Sequence, residues 1–551
     1  MNFKLNRIDC LNILILFILS LIFCSELFFS KYQPQTFDQP THVTTIAQFS
    51  EIIKKGEIPV IWVDKFANYG YPLGLFAQQT TAYFGAFINI IFDNHIFSYN
   101  LLVLFGSSLL SISTYLFLRI YFNRKICLVS SSLINFSAYK IINIYIRGAL
   151  PEFLSTPFFI LALLGIHLFF KKKKSYAFFL LTISLVMILL THPMMFVIYA
   201  PFICLYFLLI NKNNTPGFKK FVILILSFIL AFVLSAYYLI PLKLENKYFV
   251  MGRSTSSINS DQFLNLSNYF SPDWYYFLTH PGPRGNFIKF GLIETILLFS
   301  SIPLLGYISR SNINKKKFFY FSLLSSIILI FLTTSLSLPV YKLPFIREIQ
   351  YPWRILNVLM IFPPIFLAFI LDKFKNNTLY LFVFLLIMIS RLPQIYTKNV
   401  INFRNQRYEF TKYNLHINDL TLNWIGEPSS YLIKDQKVAI AEGQGIISDL
   451  NIENSSRTFN ITANENLRLV DYTFYFPGWN VYIDGIKTNI EYQDPNYRGI
   501  ITYQVPAGNH WIQVIFQETN IRKYSKYISL FGLAILFALL FYRKKLFHKL
   551  V

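Results

Sequence analysis

The sequence predicts a polytopic α-helical membrane protein of about twelve transmembrane helices with an exported C-terminal β-sandwich. Three observations predict it. Long apolar runs alternate with short connections, and every second connection carries a knot of Lys and Arg. From about residue 396 the long runs give way to short stretches that alternate in polarity.

The first run, 11–30, follows Lys4 and Arg7 and is about long enough to cross a hydrocarbon core of roughly 30 Å. It lacks a small-residue cleavage site, so it reads as a retained helix and not a signal peptide. Further runs fall near 97–122, 126–145, 149–170, 175–191, 194–211, 219–242, 287–308, 318–336, 354–371, 378–395 and 526–542. The basic knots are Arg124 and Lys125, Lys171 to Lys174, Lys212 with Lys219 and Lys220, Lys315 to Lys317, Lys373 with Lys375, and Arg543 to Lys545. Placing them in the cytoplasm puts both termini there and leaves no helix over. The run 126–145 contains Ser, Asn and Lys140, so its polar side is expected to hide against other helices.

Composition supports this class. Apolar residues make up 54% of the 551 and charged residues only 14%, too few charges for a water-soluble chain of this length. The net charge of +23 does not indicate nucleic acid, because topology and the attraction of cytoplasmic lysines to anionic headgroups account for it. Cys10, Cys24, Cys127 and Cys204 lie in or beside apolar runs without paired spacing, which points to packing and to neither disulfides nor zinc.

The same topology divides the chain into a membrane domain, 1–395, with outer loops 31–80 and 244–286; an extracytoplasmic β-rich domain, 396–523; and a final helix with a basic cytoplasmic tail, 524–551. In the β-rich domain, stretches such as RLVDYTFYF, WNVYIDG, GIITYQV and HWIQVIF are separated by Pro477-Gly478, Asp484-Gly485 and Pro506-Ala507-Gly508. Period-two alternation between turn signals argues antiparallel strands. Trp479, Tyr482 and Trp511, or their strand neighbours, are the expected core; alternation alone leaves open whether Trp511 or Ile512 points inward.

Loop 31–80 is longer than a connection requires, and such loops are usually functional. Asp38 stands just beyond the first helix, with Pro40, Thr41, His42 and Thr44 after it, so the bland role for Asp38 is to cap a surface helix. On the same side of the bilayer lie Arg147 and Glu152 in YIRGALPEF, His192 in LTHP, and Arg347, Glu348 and Arg354 in FIREIQYPWR. Charges at helix ends cost several kcal/mol at bilayer depth unless paired or wetted, so these are site candidates. Ion pairs Arg147–Glu152 and Arg347–Glu348, with interfacial snorkelling, are the structural alternative.

A first helix, a large outer loop opening on an acidic residue, many further helices and an exported domain together resemble the GT-C superfamily of integral membrane glycosyltransferases. Within it the chain is most similar to the YfhO-like proteins and to the bacterial membrane proteins labelled 6-pyruvoyl-tetrahydropterin-synthase-related. The residues carrying the resemblance are Asp38 with His42, the KKGEIPVIWVDKFANYGYPL stretch, RGALPE at 147–152, YPWR at 351–354, and the terminal FPGWNVYIDG and VPAGNHWIQVIF. The pterin label is not taken literally, since no exported histidine cluster suits a zinc site.

The resemblance implies an enzyme in the cell membrane that takes sugar from a polyprenyl-phosphate donor and passes it to an extracytoplasmic glycan, lipid or protein. It gives Asp38 the catalytic role, as a carboxylate that removes or orients the proton of the acceptor hydroxyl, with His42 and Glu152 as its candidate partners. Arg147, Arg347 and Arg354 would neutralise the departing phosphate. Trp62, Tyr69, Tyr71 and His192 are candidate sugar or lipid contacts, although Trp and Tyr are also ordinary interfacial anchors. Gln39 stands where a second acid would make a metal-binding pair, so the cofactor stays unknown: a divalent cation is open, and no nucleotide or pterin is indicated. Two other readings compete. A lipid-linked oligosaccharide flippase would share the buried charges but calls for repeats or matched broken helices that the sequence does not display, and a non-catalytic surface-assembly protein would leave Asp38 and Arg354 dispensable. No P-loop, dinucleotide fingerprint or zinc-protease motif is present.

Overall fold

A computed structural model of the chain describes residues 6–30, 33–34, 36–65, 69–170, 174–211, 218–250, 262–270, 288–344, 346, 349–395, 400–401, 422–426, 431 and 434–542. Six helices among them are long and apolar enough to cross a membrane: His95–Leu118, Leu150–Phe170, Pro193–Ile210, Ile313–Thr333, Pro352–Phe374 and Asn520–Phe541. The pair Lys220–Leu234 and Ala236–Tyr248, bent by 69°, makes a seventh if taken as one span. The remaining expected runs are helical but shorter or interrupted: Arg7–Phe23 has 17 residues, Ser175–Thr191 and Asn377–Arg391 are short, and the run near 287–308 breaks at Ser300 between Leu292–Phe299 and Ser301–Ile308. Six or seven full-length spans therefore stand where the sequence suggested about twelve.

The expected polar run 126–145 is the most broken of all, and side chains explain the break. The helix Arg124–Asn135 stops at Phe136, and the backbone N–H of Ala138 is taken by Glu294 Oε1 at 2.8 Å instead of by a helical carbonyl. Chain then resumes as Ala138–Ile141 and a π-helix, Ile142–Arg147, which ends on Gly148 in the left-handed region at φ +68°. Lys140 is wholly buried here, its Nζ held by the Asn135 carbonyl at 2.9 Å and the Asn135 side chain at 2.7 Å, over the Phe23 ring at 3.7 Å. A buried ammonium satisfied in this way is tolerable inside a bundle.

Loop 31–80 contains an amphipathic helix, Gln39–Lys54, and a short one, Leu73–Phe76, and a longer helix, Gln79–Phe92, begins at its end. Gln39–Lys54 and Gln79–Phe92 pack together. Two short strands, β1 (Gln33–Pro34) and β2 (Val400–Ile401), pair antiparallel, tying the start of this loop to the chain that enters the C-terminal region.

That region is built from β3 (Val438–Glu442), β4 (Gly445–Ile452), β5 (Ser456–Ala463), β6 (Leu467–Phe474), β7 (Trp479–Ile483), β8 (Ile486–Thr488), β9 (Ile500–Val505) and β10 (Gly508–Phe516). They form a five-stranded sheet of order β4-β5-β10-β7-β8 and a three-stranded sheet of order β3-β6-β9, all pairs antiparallel. The β7–β8 hairpin closes through Asp484-Gly485, both at positive φ, as a type I′ turn requires. Ile512 is buried and Trp511 exposed, which settles the register; Trp479 and Val481 are buried, with Tyr482 half-buried. The two sheets share one core with Trp62, Tyr69 and Tyr71 of the loop. Below it, the helix Asn520–Phe541 lies on the bent pair, where Gly532 lets Val233 approach so closely that a Cβ would meet its Cγ1 at 2.7 Å.

Candidate functional site

The π-helix delivers Arg147, and the helix Leu150–Phe170 delivers Glu152, into a buried network. Arg147 Nη1 and Nη2 donate to Glu152 Oε1 and Oε2 at 2.7 and 2.8 Å, a bidentate pair. Nη1 also donates to Asn143 at 2.5 Å and to the Tyr139 hydroxyl at 3.1 Å. Asn143 donates to Asn357 at 2.8 Å, and Asn357 in turn donates to Glu152. The ring of bonds thus fixes the carboxylate from two directions.

Arg354 reaches the same carboxylate from a third element, the 3₁₀ turn Pro352–Ile355. Its Nε lies 3.4 Å from Glu152 Oε2, while its Nη1 donates to the Ile349 carbonyl at 3.2 Å and to Gln350 at 3.0 Å. One carboxylate therefore faces two guanidinium groups. His192 joins electrostatically with Glu152, Arg354 and Arg147, and its buried Nδ1 has no hydrogen-bond partner.

Asp38 comes to this cluster through its backbone. Its N–H donates to the Arg147 carbonyl at 2.8 Å, and the Phe37 N–H donates to the Ile146 carbonyl at 3.2 Å. This contact requires Gly148: a Cβ there would stand 2.5 Å from Thr36 Oγ1 and 2.6 Å from the Gln39 nitrogen. Asp38 occupies the N-cap position of Gln39–Lys54, as the capping role expects, but its side chain makes no cap hydrogen bond and is exposed. The carboxylate interacts electrostatically with Arg147, Arg354, Tyr99 and His42. Burial pushes the His42 imidazole below its ordinary pKa, with Asp38 working in the opposite direction.

The structure thus gathers Asp38, His42, Arg147, Glu152, His192 and Arg354 in one region. Arg347, like Glu348, lies outside the described residues. Trp62, Tyr69 and Tyr71 are placed elsewhere: Trp62 packs on Trp479 and Phe516, Tyr69 stacks on Phe474, and Tyr71 meets Phe249 edge-on. All three are buried in the core shared with the sheets, so apolar packing occupies the faces that sugar or lipid contact would need. Sequence reasoning missed Tyr139, Asn143 and Asn357; an amide inside an apolar run was the available signal for the two asparagines. No group of three or more His, Cys, Asp or Glu suited to a metal ion occurs among the described residues.

A family model described as "6-pyruvoyl-tetrahydropterin synthase related domain; membrane protein" matches residues 81–403, more than half of the chain. No curated protein matches the sequence. Among solved structures, the oligosaccharyltransferase of Archaeoglobus fulgidus in its apo form is similar at 12% identity and a TM-score of 0.42, covering 70% of this chain and 55% of that one. The arabinofuranosyltransferase AftD from mycobacteria is similar at 11% identity and 0.43, covering 72% and 28%. The archaeal enzyme tethered to an acceptor peptide gives 14% identity and 0.39, covering 70% and 55%. This chain therefore spans about half the length of the archaeal protein and less than a third of the mycobacterial one.

Proposed function

The chain belongs to the membrane-protein family with a 6-pyruvoyl-tetrahydropterin synthase related domain, and from that premise we propose that it is a membrane glycosyltransferase of the GT-C kind. It moves a sugar from a polyprenyl-phosphate-linked donor to an extracytoplasmic glycan, lipid or protein. The observation that carries this reading is the state of Asp38: its backbone is pinned to Arg147, beside two arginines, while its carboxylate is exposed and spent on no cap. A helix-capping residue would have used that side chain.

In the proposed reaction the acceptor oxygen attacks the anomeric carbon, the bond from that carbon to the donor phosphate oxygen breaks, and the acceptor proton passes to Asp38. The phosphate leaves with its negative charge, which Arg354 neutralises. Arg354 suits this better than Arg147, whose two Nη atoms are already engaged by Glu152, Asn143 and Tyr139. Glu152 then acts as the fixed anchor that aims both guanidinium groups. The alternating basic knots support cytoplasmic termini and an exported 396–523, a reading in which the shortened and broken helices count with the long ones toward about twelve crossings.

Asp38→Asn tests the proposal. The variant keeps the size and backbone contacts of Asp38 while removing its charge and basicity. We expect normal abundance and transfer reduced about a hundredfold or more, measured as accumulation of lipid-linked sugar and loss of outer glycan. Wild-type transfer by a folded Asp38→Asn protein would favour a flippase or a surface-assembly protein instead.

A further inference from the structure

The outer face of the five-stranded sheet carries aromatic and amide side chains that the core does not use. Alternation sends Phe459, Ile461, Val481, Ile512 and Val514 inward, each at most 1% exposed. Their strand neighbours face out. The register sets Trp511 opposite Asn460, and Gln513 opposite both Thr458 and Tyr482, so these five side chains share one face. Trp511 and Tyr482 are diagonal neighbours on it, about 7–8 Å apart.

Trp511 is 43% exposed, whereas Trp62, Trp353 and Trp479 are at most 4% exposed and Trp424 is half-buried. Among the described residues its indole has no hydrogen bond and no ring against it. Nor does it stand where a membrane anchor would. Five residues of β10, about 17 Å, separate it from Phe516, after which the chain enters the last helix, and exposed Tyr524 and Tyr527 are the aromatics beside that entry. Tyr482 is held in place: its hydroxyl donates to Gln517 Oε1 at 3.3 Å, and Asn480 Nδ2 donates to the same oxygen at 3.0 Å. Asn460 Nδ2 donates to Asp449 at 2.9 Å, while its carbonyl oxygen, the Gln513 amide and the Thr458 hydroxyl make no hydrogen bond among the described residues. Along the five strands the outward charges are Lys487 and Asp449, one of each sign.

This combination selects a ligand. A pyranose has an apolar C–H face and a rim of hydroxyls, which separated aromatic planes set among neutral amides and hydroxyls match. A protein partner calls for a contiguous apolar centre, but the same-face neighbours of Trp511 are Asn509, Gln513 and Asn460. An acidic polymer would find one lysine.

We propose that this sheet face binds a neutral glycan chain, with Trp511 and Tyr482 as stacking platforms and Gln513, Asn460 and Thr458 as hydrogen-bonding groups. The face shares no residue with the Asp38 cluster, so the proposal does not depend on the transferase reading. The test uses full-length protein in a detergent without a sugar headgroup, titrated separately with cellohexaose, maltohexaose, mannohexaose and chitohexaose, and with hexagalacturonic acid as the acidic comparison. Native mass spectrometry reads binding; size-exclusion profiles and circular dichroism establish that Trp511→Ala, Gln513→Ala and Tyr524→Ala fold.

The expected result is saturable binding of at least one neutral hexasaccharide, weakened about tenfold or more by Trp511→Ala and about threefold by Gln513→Ala, and unchanged in Tyr524→Ala. Hexagalacturonic acid should bind more weakly than that sugar. If Trp511→Ala does not fold, Gln513→Ala alone decides. No binding of any neutral hexasaccharide up to about 10 mM, binding unchanged in the folded face variants, or tightest binding of the acidic sugar would overturn the proposal. Sugar-independent self-association abolished by Trp511→Ala would also overturn it, by assigning the face to a second copy of the chain.

Discussion

Neutralising Glu152 is the most demanding test of the network around Arg147. Glu152→Gln preserves shape and the capacity to bond with Asn357, yet among the described residues it removes the one carboxylate that contacts both Arg147, at 2.7 and 2.8 Å, and Arg354, at 3.4 Å. Glu152 is 2% exposed and Arg147 8%, so water cannot replace the lost charge on the Arg147 side. Breaking a buried pair by removing one partner costs about 3–5 kcal/mol, and two stranded cations put this case in the upper part of that range. A loss of about 4.5 kcal/mol shifts the folding equilibrium by roughly two-thousandfold. The companion variant Arg147→Gln strands no carboxylate, because Arg354 still faces Glu152, so it should cost less. The double variant should cost clearly less than the sum of the singles, by about 1–3 kcal/mol of coupling. Unfolding in mixed micelles by titration with sodium dodecyl sulfate, followed by tryptophan fluorescence, measures all three. Glu152→Gln within about 1 kcal/mol of wild type, or strict additivity, would refute the claim that one carboxylate holds both guanidinium groups.

Gly148→Ala should disturb the site more than the fold: it strains a left-handed residue by about 1–2 kcal/mol and pushes Thr36 and Gln39 away, so transfer should fall far more than abundance, whereas Gly306→Ala, with nothing within 4 Å, should be silent in both. The surface pair Asp484–His510, at 2.6 Å, gives a pH signature. Its hydrogen bond raises the His510 pKa and lowers that of Asp484. The histidine contribution is complete below the unfolded value near 6.5 and lost as pH rises through the raised folded value, while the aspartate contribution is complete above 3.8 and lost as pH falls through the lowered one. The Tm difference between wild type and His510→Gln should therefore be largest near pH 5 and shrink as His510 loses its charge in alkali; a pH-independent difference would contradict the pairing.

Legibility in the sequence followed the range of the interaction. The Asp484-Gly485 hairpin could be read because a type I′ turn is a two-residue property, and the strands of the C-terminal region could be read from alternation within each stretch. Which face of β10 was inside could not, since burial of Ile512 depends on a partner sheet. Nor was the helix Gln79–Phe92 anticipated: at 14 residues it is too short to span, and its exposed stripe of Phe84, Phe87 and Ile91 runs opposite buried Ala82, Ala86 and Asn89. At the site, Asp38, Arg147, Glu152 and Arg354 stood out as charges beside apolar runs. Asn357 did not, because its meaning lies in Asn143, 214 residues away.

The shared core of loop and sheets carries a consequence for synthesis. Trp62, Tyr69 and Tyr71 leave the ribosome well before β3 begins at Val438, about 370 residues later. At roughly 5–20 residues per second, that separation is about 20–70 s in which three large aromatic side chains have no sheet to cover them. During that interval a nascent chain is exposed to aggregation and proteolysis through the loop that also bears Asp38. Truncations ending before β10 should therefore remain dependent on chaperones even when every membrane helix has been inserted.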